Sequence, residues 1–230
     1  MTGTYAEAAL CLAHHVYRLP DHLNFSEGAA LGVPYASAYR ALFQRAELRA
    51  GEWLLVHGAS GGVGIATVQL ARQAGLRVIG TAGSEPGRQL LTRFGVSAAL
   101  DHHDPHHGAR IMALTGGHGV DAIIEMAAHL NLAEDLRLLA RRGRVVVVGS
   151  RGSIEINPRD TMSRDAAILG MSLMNLSPEE TKAIHRALAQ DYATDRLRPV
   201  IRAELRLESA AEAHRLVIEG RSLGKIVLLP

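Results

Sequence analysis

From Trp53 onward, short apolar runs alternate with stretches whose apolar residues return every three or four positions, and glycine or polar clusters separate them. The runs read as strands at 53–57, 76–81, 98–100, 121–125 and 144–148. The periodic stretches read as helices at 62–74, 85–94, around 108–115 and 130–140. Strand and helix in turn predict a parallel sheet with helices wound over both faces, because each parallel crossover must carry the chain across a face. The run Val145-Val146-Val147-Val148 has no polar alternation, the pattern of a strand covered on both sides.

The flanks are less regular. Residues 5–12 and 16–19 predict short strands ended by Pro20. Ser26-Glu27 offers a cap for a helix that Pro34 interrupts, and Ser37, Ala38, Ala41, Leu42 and Ala46 resume helical spacing up to the polar turn Arg49-Ala50-Gly51-Glu52. Beyond Gly149 the pattern lapses, then returns as a strand over 168–173 and a helix opened by Ser177-Pro178-Glu179-Glu180. A last helix from Ser209 to Gly220 and a strand over 226–229 close the chain.

At 230 residues, with 47% hydrophobic and 21% charged positions, the chain has enough apolar material for one folded domain, or one plus a fragment. A net charge of +2 and an aromatic content of 4% give little reason to expect RNA or a membrane surface as partner, which leaves small-molecule chemistry. The one cysteine, Cys11, can neither close an intrachain disulfide nor build a Cys-based structural zinc site, so a reducing, cytoplasmic setting is expected, with Cys11 as a small buried residue. No charged leader with an apolar core opens the sequence, and no apolar span is long enough to cross a bilayer.

The candidate chemistry is concentrated in Trp53-Leu54-Leu55-Val56-His57-Gly58-Ala59-Ser60-Gly61-Gly62-Val63-Gly64-Ile65-Ala66, where a strand meets spaced glycines and a helix follows at once. The first glycine permits a sharp turn, the middle pair lets backbone N–H groups approach a pyrophosphate, and Gly64 lets the helix pack closely on the sheet. The helix from Gly62 turns its positive dipole end toward the phosphates. An NAD-selective site places Asp or Glu about twenty residues on, at the end of the second strand. Here that strand ends in Thr81-Ala82-Gly83-Ser84, so a 2′-phosphate meets no acid and NADPH is favoured. Nearby Arg88 is either its counter-charge or an ordinary solvated helix residue.

Further strings accompany the cradle: Gly32-Val33-Pro34-Tyr35-Ala36-Ser37-Ala38-Tyr39-Arg40-Ala41-Leu42, Gly80-Thr81-Ala82-Gly83, Val147-Val148-Gly149-Ser150-Arg151-Gly152, Ile154-Glu155-Ile156-Asn157-Pro158-Arg159-Asp160-Thr161-Met162, Ala213-His214 and Gly224-Lys225. In this order they resemble the zinc-independent, zeta-crystallin-like quinone oxidoreductases of the medium-chain dehydrogenase/reductase superfamily, over nearly the whole chain. The resemblance implies a doubly wound Rossmann domain at 26–167. Residues 1–25 would be the end of an N-terminal GroES-like substrate domain of which most is lacking, and 168–230 a segment returning to it. It also implies an NADPH-dependent reductase of quinones or conjugated carbonyls that assembles as a homodimer or larger homo-oligomer, for which the sheet edge near 168–173 offers a surface. A non-catalytic NADPH-binding module is the alternative.

By the same resemblance Ser60, Gly61, Gly62 and Val63 hold the pyrophosphate, and Gly83 and His102 lie at the adenosine end. Asn131 contacts the cofactor unless it is a helix N-cap. Val148, Gly149, Ser150 and Arg151 reach the nicotinamide half, joined by Met171, Ser172 and Leu173 unless those three are sheet-edge core. No catalytic side chain is assigned, since a quinone can take its proton from water. Tyr35 and Tyr39 have helical spacing and read as packing residues. The cluster His102, His103, His106, His107 could suggest a metal, but Asp104-Pro105 within it argues for a loop, so no metal is expected; Cys11 with His14 or His15 rebuilds no zinc set either. No tyrosine has lysine four residues later, so the pair used by short-chain dehydrogenases is absent.

Overall fold

In the computed structural model, residues 4–219 and 223–230 are described; Gly220, the expected end of the last helix, lies outside them. The helices are α1 (Phe25–Tyr39), α2 (Gly62–Gln73), α3 (Glu85–Arg93), α4 (His107–Leu114), α5 (Ala128–Leu138), α6 (Pro158–Met162), α7 (Pro178–Ala193) and α8 (Ala210–Ile218). The strands are β1 (Trp53–Val56), β2 (Arg77–Thr81), β3 (Ala98–Leu100), β4 (Val120–Glu125), β5 (Leu139–Val147), β6 (Ala167–Gly170), β7 (Ile201–Arg206) and β8 (Lys225–Leu229). The first six form one parallel sheet in the order β3-β2-β1-β4-β5-β6. The order reverses between β1 and β4, and the crevice beyond their carboxyl ends is where such sheets take ligands.

Alternation along the strands explains why helices cover both faces. Leu54, Val56, Val78, Ala122, Ile124 and Val146 pack with Leu31, Tyr35, Leu42, Ala66, Leu70, Ile184 and Leu188 in one core. Their neighbours Leu55, Ile79, Ile123 and Val145 turn the other way, onto Ile111, Leu136 and Leu138. Val145 and Val146 are both fully buried, as the unbroken valine run predicts. The α/β, doubly wound reading of the sequence is therefore the fold.

Several local expectations are corrected. Residues 5–12 and 16–19 form no strand, because no neighbouring strand is there to pair with them; a short 3₁₀ turn, Ala13–His15, is the regular structure in that stretch. Cys11 is consequently exposed rather than buried. Helix α1 starts ahead of the expected cap, at Asn24, whose side chain accepts from Glu27 N at 2.8 Å while Glu27 returns a carboxylate to Asn24 N at 3.0 Å. It then runs through Pro34 without stopping and passes into a π-helical turn, Arg40–Arg45. Burial of Leu31, Tyr35 and Ala38 against the core outweighs the roughly 3 kcal/mol that an interior proline costs. Helix α5 stops at Leu138, since Leu139 already pairs with Val120.

Strand β6 ends at Gly170, short of the expected 173. Helix α6 and strand β7 are not among the elements expected from the sequence. Strand β7 pairs in parallel with β8, and β8 is tied to the glycine loop by a bridge between Gly61 and Gly224 and by Gly224 N donating to Ser60 O at 2.8 Å. The end of the chain thus braces the loop that precedes α2.

Candidate dinucleotide site

The loop after β1 is held on three sides. Gly58 turns at φ +58°, Gly61 N closes onto Gly58 O at 3.0 Å, and Ala59 N donates to Thr81 O at 2.9 Å, tying the loop to the end of β2. Gly61 caps α2 without a side-chain bond, and the first turn carries no acid. The first helical bond is Ile65 N to Gly61 O at 2.8 Å, so the N–H groups of Gly62, Val63 and Gly64 precede any intrahelical acceptor. An anion at this end of the helix meets those donors and the positive end of the dipole together.

Main-chain contact requires Gly64, whereas Gly62 faces a flexible side chain that can give way. A Cβ on Gly64 would collide with the Gly58 carbonyl oxygen and stand 2.6 Å from Ala59 Cα, while one on Gly62 would stand 2.6 Å from Cδ of Lys225, whose stem crosses the loop. Ser60 is buried in the same turn.

At one end of this crevice the structure brings Gly83 and His102 together: a Cβ on Gly83 would lie 2.7 Å from His102 Nε2. Burial, with the neighbouring His103, lowers the pKa of His102 and keeps it neutral near pH 7. Arg88 is neither free nor simply solvated. Its guanidinium is 2.7 Å from Asp101 and 2.7 Å from Glu85, and reaches Ala82 O at 3.3 Å. The acid missing from the end of β2 is therefore partly replaced by Asp101, just past β3.

On the other side of the switch point, Asn131 lies one turn inside α5. Ala127 holds the N-cap position, which removes the capping alternative. Asn131 Nδ2 donates to the Glu125 carboxylate oxygens at 3.1 and 3.3 Å. Val148 N and Gly149 N both donate to Glu125 O, and a Cβ on Gly149 would stand 2.5 Å from Met126 O, so this turn lies flat against the end of β4. Ser150 hydroxyl closes on Gly152 O, and Arg151 N donates to His129 Nδ1 at 3.2 Å. Met171 N makes the last bond to β5, at Val147 O, and Ser172 then caps a short turn through Met174 N. Met171 and Leu173 are half-buried against the core and stand beyond the carboxyl end of β6.

All the expected site residues thus line one edge of one sheet. Over its full length the chain is 47% identical to a quinone oxidoreductase of Homo sapiens, spanning 70% of that protein. The chain belongs to the quinone oxidoreductases of the medium-chain dehydrogenase/reductase superfamily. A family model described as zinc-binding dehydrogenase matches residues 62–190. Among solved structures, a quinone oxidoreductase of Thermus thermophilus, also determined with NADPH, is 30% identical with a TM-score of 0.84, covering 93% of this chain and 69% of its own. An NAD-dependent alcohol dehydrogenase is likewise 30% identical, with a TM-score of 0.91 over 99% of this chain and 65% of its own. This chain is an oxidoreductase of that family, in which a pyridine nucleotide is the shared cofactor class.

The zinc in the family model's description finds no ready ligand set among the described residues. Their one compact trio of ligand-bearing side chains is His57, Glu125 and Asp135, not the histidine cluster of the sequence, where His107 Nδ1 is spent on Asp104 O and His102 stacks edge-on with His103. In the trio, His57 Nε2 is 2.9 Å from Asp135 Oδ1, closer than the roughly 3.3 Å that tetrahedral zinc sets between neighbouring ligands, and His57 Nδ1 is engaged with Thr81 Oγ1 at 3.2 Å. These residues do not fit zinc. Sequence reasoning passes over the trio, although Asp135 follows Asn131 by four residues and so shares the face of α5 turned toward the sheet.

Proposed function

We propose that the chain binds NADPH across the carboxyl edge of its sheet and passes hydride to a quinone or a related conjugated carbonyl. The observation that carries this is the uncapped N-terminus of α2, with Gly64 in its first turn fixed by backbone contact, at the switch point of the strand order. Kinship with quinone oxidoreductases, one of them solved with NADPH, supports the choice of acceptor and nucleotide.

The nucleotide supplies the hydride; the protein's part is placement. Ser60 and Gly61 form the turn that leads to the pyrophosphate, and Gly62 and Val63 present their N–H groups to it, with Gly83 and His102 flanking the adenosine. Asn131 offers its amide to a ribose, and Val148, Gly149, Ser150 and Arg151 form the floor beside the nicotinamide, with Met171, Ser172 and Leu173 as its wall. The 2′-phosphate lies near Arg88, which then shares its charge between phosphate and Asp101. The reduced quinone takes its proton from water, so no side chain need act as acid.

In this reading 26–167 is the nucleotide-binding unit, while 1–25 and 168–230 belong with a substrate half. A lone cysteine suits a cytoplasmic chain, and no helix among the described residues is long and apolar enough to cross a membrane. The exposed edge of β6 is the surface for a homodimer, and sedimentation as a monomer at micromolar concentration would contradict that assembly.

Steady-state NADPH oxidation with a naphthoquinone or ortho-quinone tests the activity: consumption that depends on the quinone is the expected result. Binding of NADPH by folded protein without turnover would instead establish a nucleotide-binding module.

A further inference from the structure

Three titratable side chains are buried together beneath the glycine loop, where the ends of β1 and β4 meet α5. His57 is 5% exposed, Glu125 0% and Asp135 1%. His57 Nε2 is 2.9 Å from Asp135 Oδ1 and 3.7 Å from Glu125 Oε2, and its Nδ1 reaches Thr81 at the end of β2. Glu125 accepts from Ala127 N and from Asn131 Nδ2. Asp135 Oδ2 is buried without a partner. Hydride transfer gives none of the three a role.

Two carboxylates so close, out of reach of water, cannot both stay ionised beside one imidazole without leaving a net buried charge. The neutral arrangement is an imidazolium on His57, a carboxylate on Asp135 and a carboxylic acid on Glu125, whose proton has its acceptor in Asp135. The other groups agree with this charge state. Burial, with the charge of Asp135, pushes Glu125 up to about 7 against the pull of His57. On His57, burial acts downward but is outweighed by the hydrogen bond and charge of Asp135, to which Glu134 adds. From beyond β3, His102 feels the charge of His57.

We propose that Glu125 is a positioning residue which, as a neutral acid braced by Asp135 and His57, fixes the Asn131 amide for the nucleotide without touching the nucleotide itself. With Nδ2 spent on Glu125, Asn131 is left with Oδ1 as an acceptor at the carboxyl edge of the sheet, and a ribose hydroxyl is the donor it takes. The triad links the ends of β1, β2 and β4 through His57, Thr81 and Glu125, so its charge state sets how firmly that edge is held. Ionised Glu125 would repel Asp135 and loosen the brace. This inference rests on the nucleotide-binding reading above.

The test is a titration of NADPH fluorescence with the full chain from pH 6 to pH 8.5, for wild type, Glu125→Gln, Glu125→Ala, Asn131→Ala and the Glu125→Ala/Asn131→Ala pair, with near-ultraviolet circular dichroism as the check on folding. Wild-type affinity should fall about tenfold with rising pH, and Glu125→Gln, which stays neutral, should bind with little pH dependence. Glu125→Ala and Asn131→Ala should each weaken binding about tenfold, and the pair no further, because they break one connection. If Glu125→Gln keeps the wild-type pH profile, or if the two alanine losses add, the positioning role is overturned while the nucleotide site stands. If folded wild type binds no NADPH at any pH, the nucleotide reading fails and takes this inference with it.

Discussion

At Gly64 a single methyl group would meet main-chain atoms that cannot move aside, whereas at Gly32, on the exposed side of α1, nothing stands within 4 Å of the same addition. Gly64→Ala should therefore cost about 1–3 kcal/mol in urea denaturation and lose NADPH binding, while Gly32→Ala should be neutral or stabilise by about 1 kcal/mol. Equal effects would mean the loop is not built as described. The cradle is legible from its spacing because glycine is there for a local steric reason. The partners of Arg88 are not, since Asp101 reaches it only after β3 is laid beside β2. Asp101→Asn, by removing one of the two negative charges held by Arg88, the residue proposed to meet the 2′-phosphate, should raise the preference for NADPH over NADH about threefold or more in competitive titration. An unchanged or lower preference would place the phosphate elsewhere.

At the scale of elements, sequence reading succeeds where pattern and burial coincide and fails where tertiary packing decides. The helix start at Ser177 is readable because the capping box is contained in four residues, with Glu180 N donating to Ser177 at 3.1 Å and Ser177 N to Glu180 at 2.7 Å. The passage of α1 through Pro34 is not, since the compensating contacts come from distant segments. The alternation of Ile201, Ala203 and Leu205 with Arg202, Glu204 and Arg206 is a readable signal for β7, weakened by partners that lie beyond a helix, in β8. At the start of the chain the reverse error arises: strand-like composition without a neighbour to pair with gives exposed, irregular backbone, with Leu10 and Leu12 in solvent. Asn24→Ala and Ser177→Ala should each lower stability by about 1 kcal/mol with little change in nucleotide affinity, measured by urea denaturation and titration. A loss of affinity larger than the loss of stability would show that α1 or α7 shapes the crevice directly.

In the whole molecule, the buried triad makes stability depend on pH. The carboxyl of Glu125 is raised from 4.5 to about 7 by folding, and His57 is raised above its ordinary value. Between those limits the folded state holds a proton that the unfolded chain has released, so stability falls as pH rises through this window and through the raised pKa of His57. The urea midpoint should drop between pH 5.5 and pH 8 in the wild type and drop less steeply in Glu125→Gln, where only the His57 contribution remains; a midpoint that rises over this range would contradict the neutral triad.

The family and the sheet are readable from ordered motifs, yet the trio at their centre emerges only when three elements are brought together. Trp53, at the amino end of β1 and beneath Arg77, lies away from the crevice and makes a poor reporter of it. The fluorescence of NADPH itself is the better probe. Titrated with the wild-type chain it should saturate at one nucleotide per chain, and Gly62→Asp, which places a carboxylate at the N-terminus of α2, should abolish the signal in a protein that remains folded. Unchanged binding by Gly62→Asp, or none by folded wild type, would contradict the claim that this helix end holds the pyrophosphate.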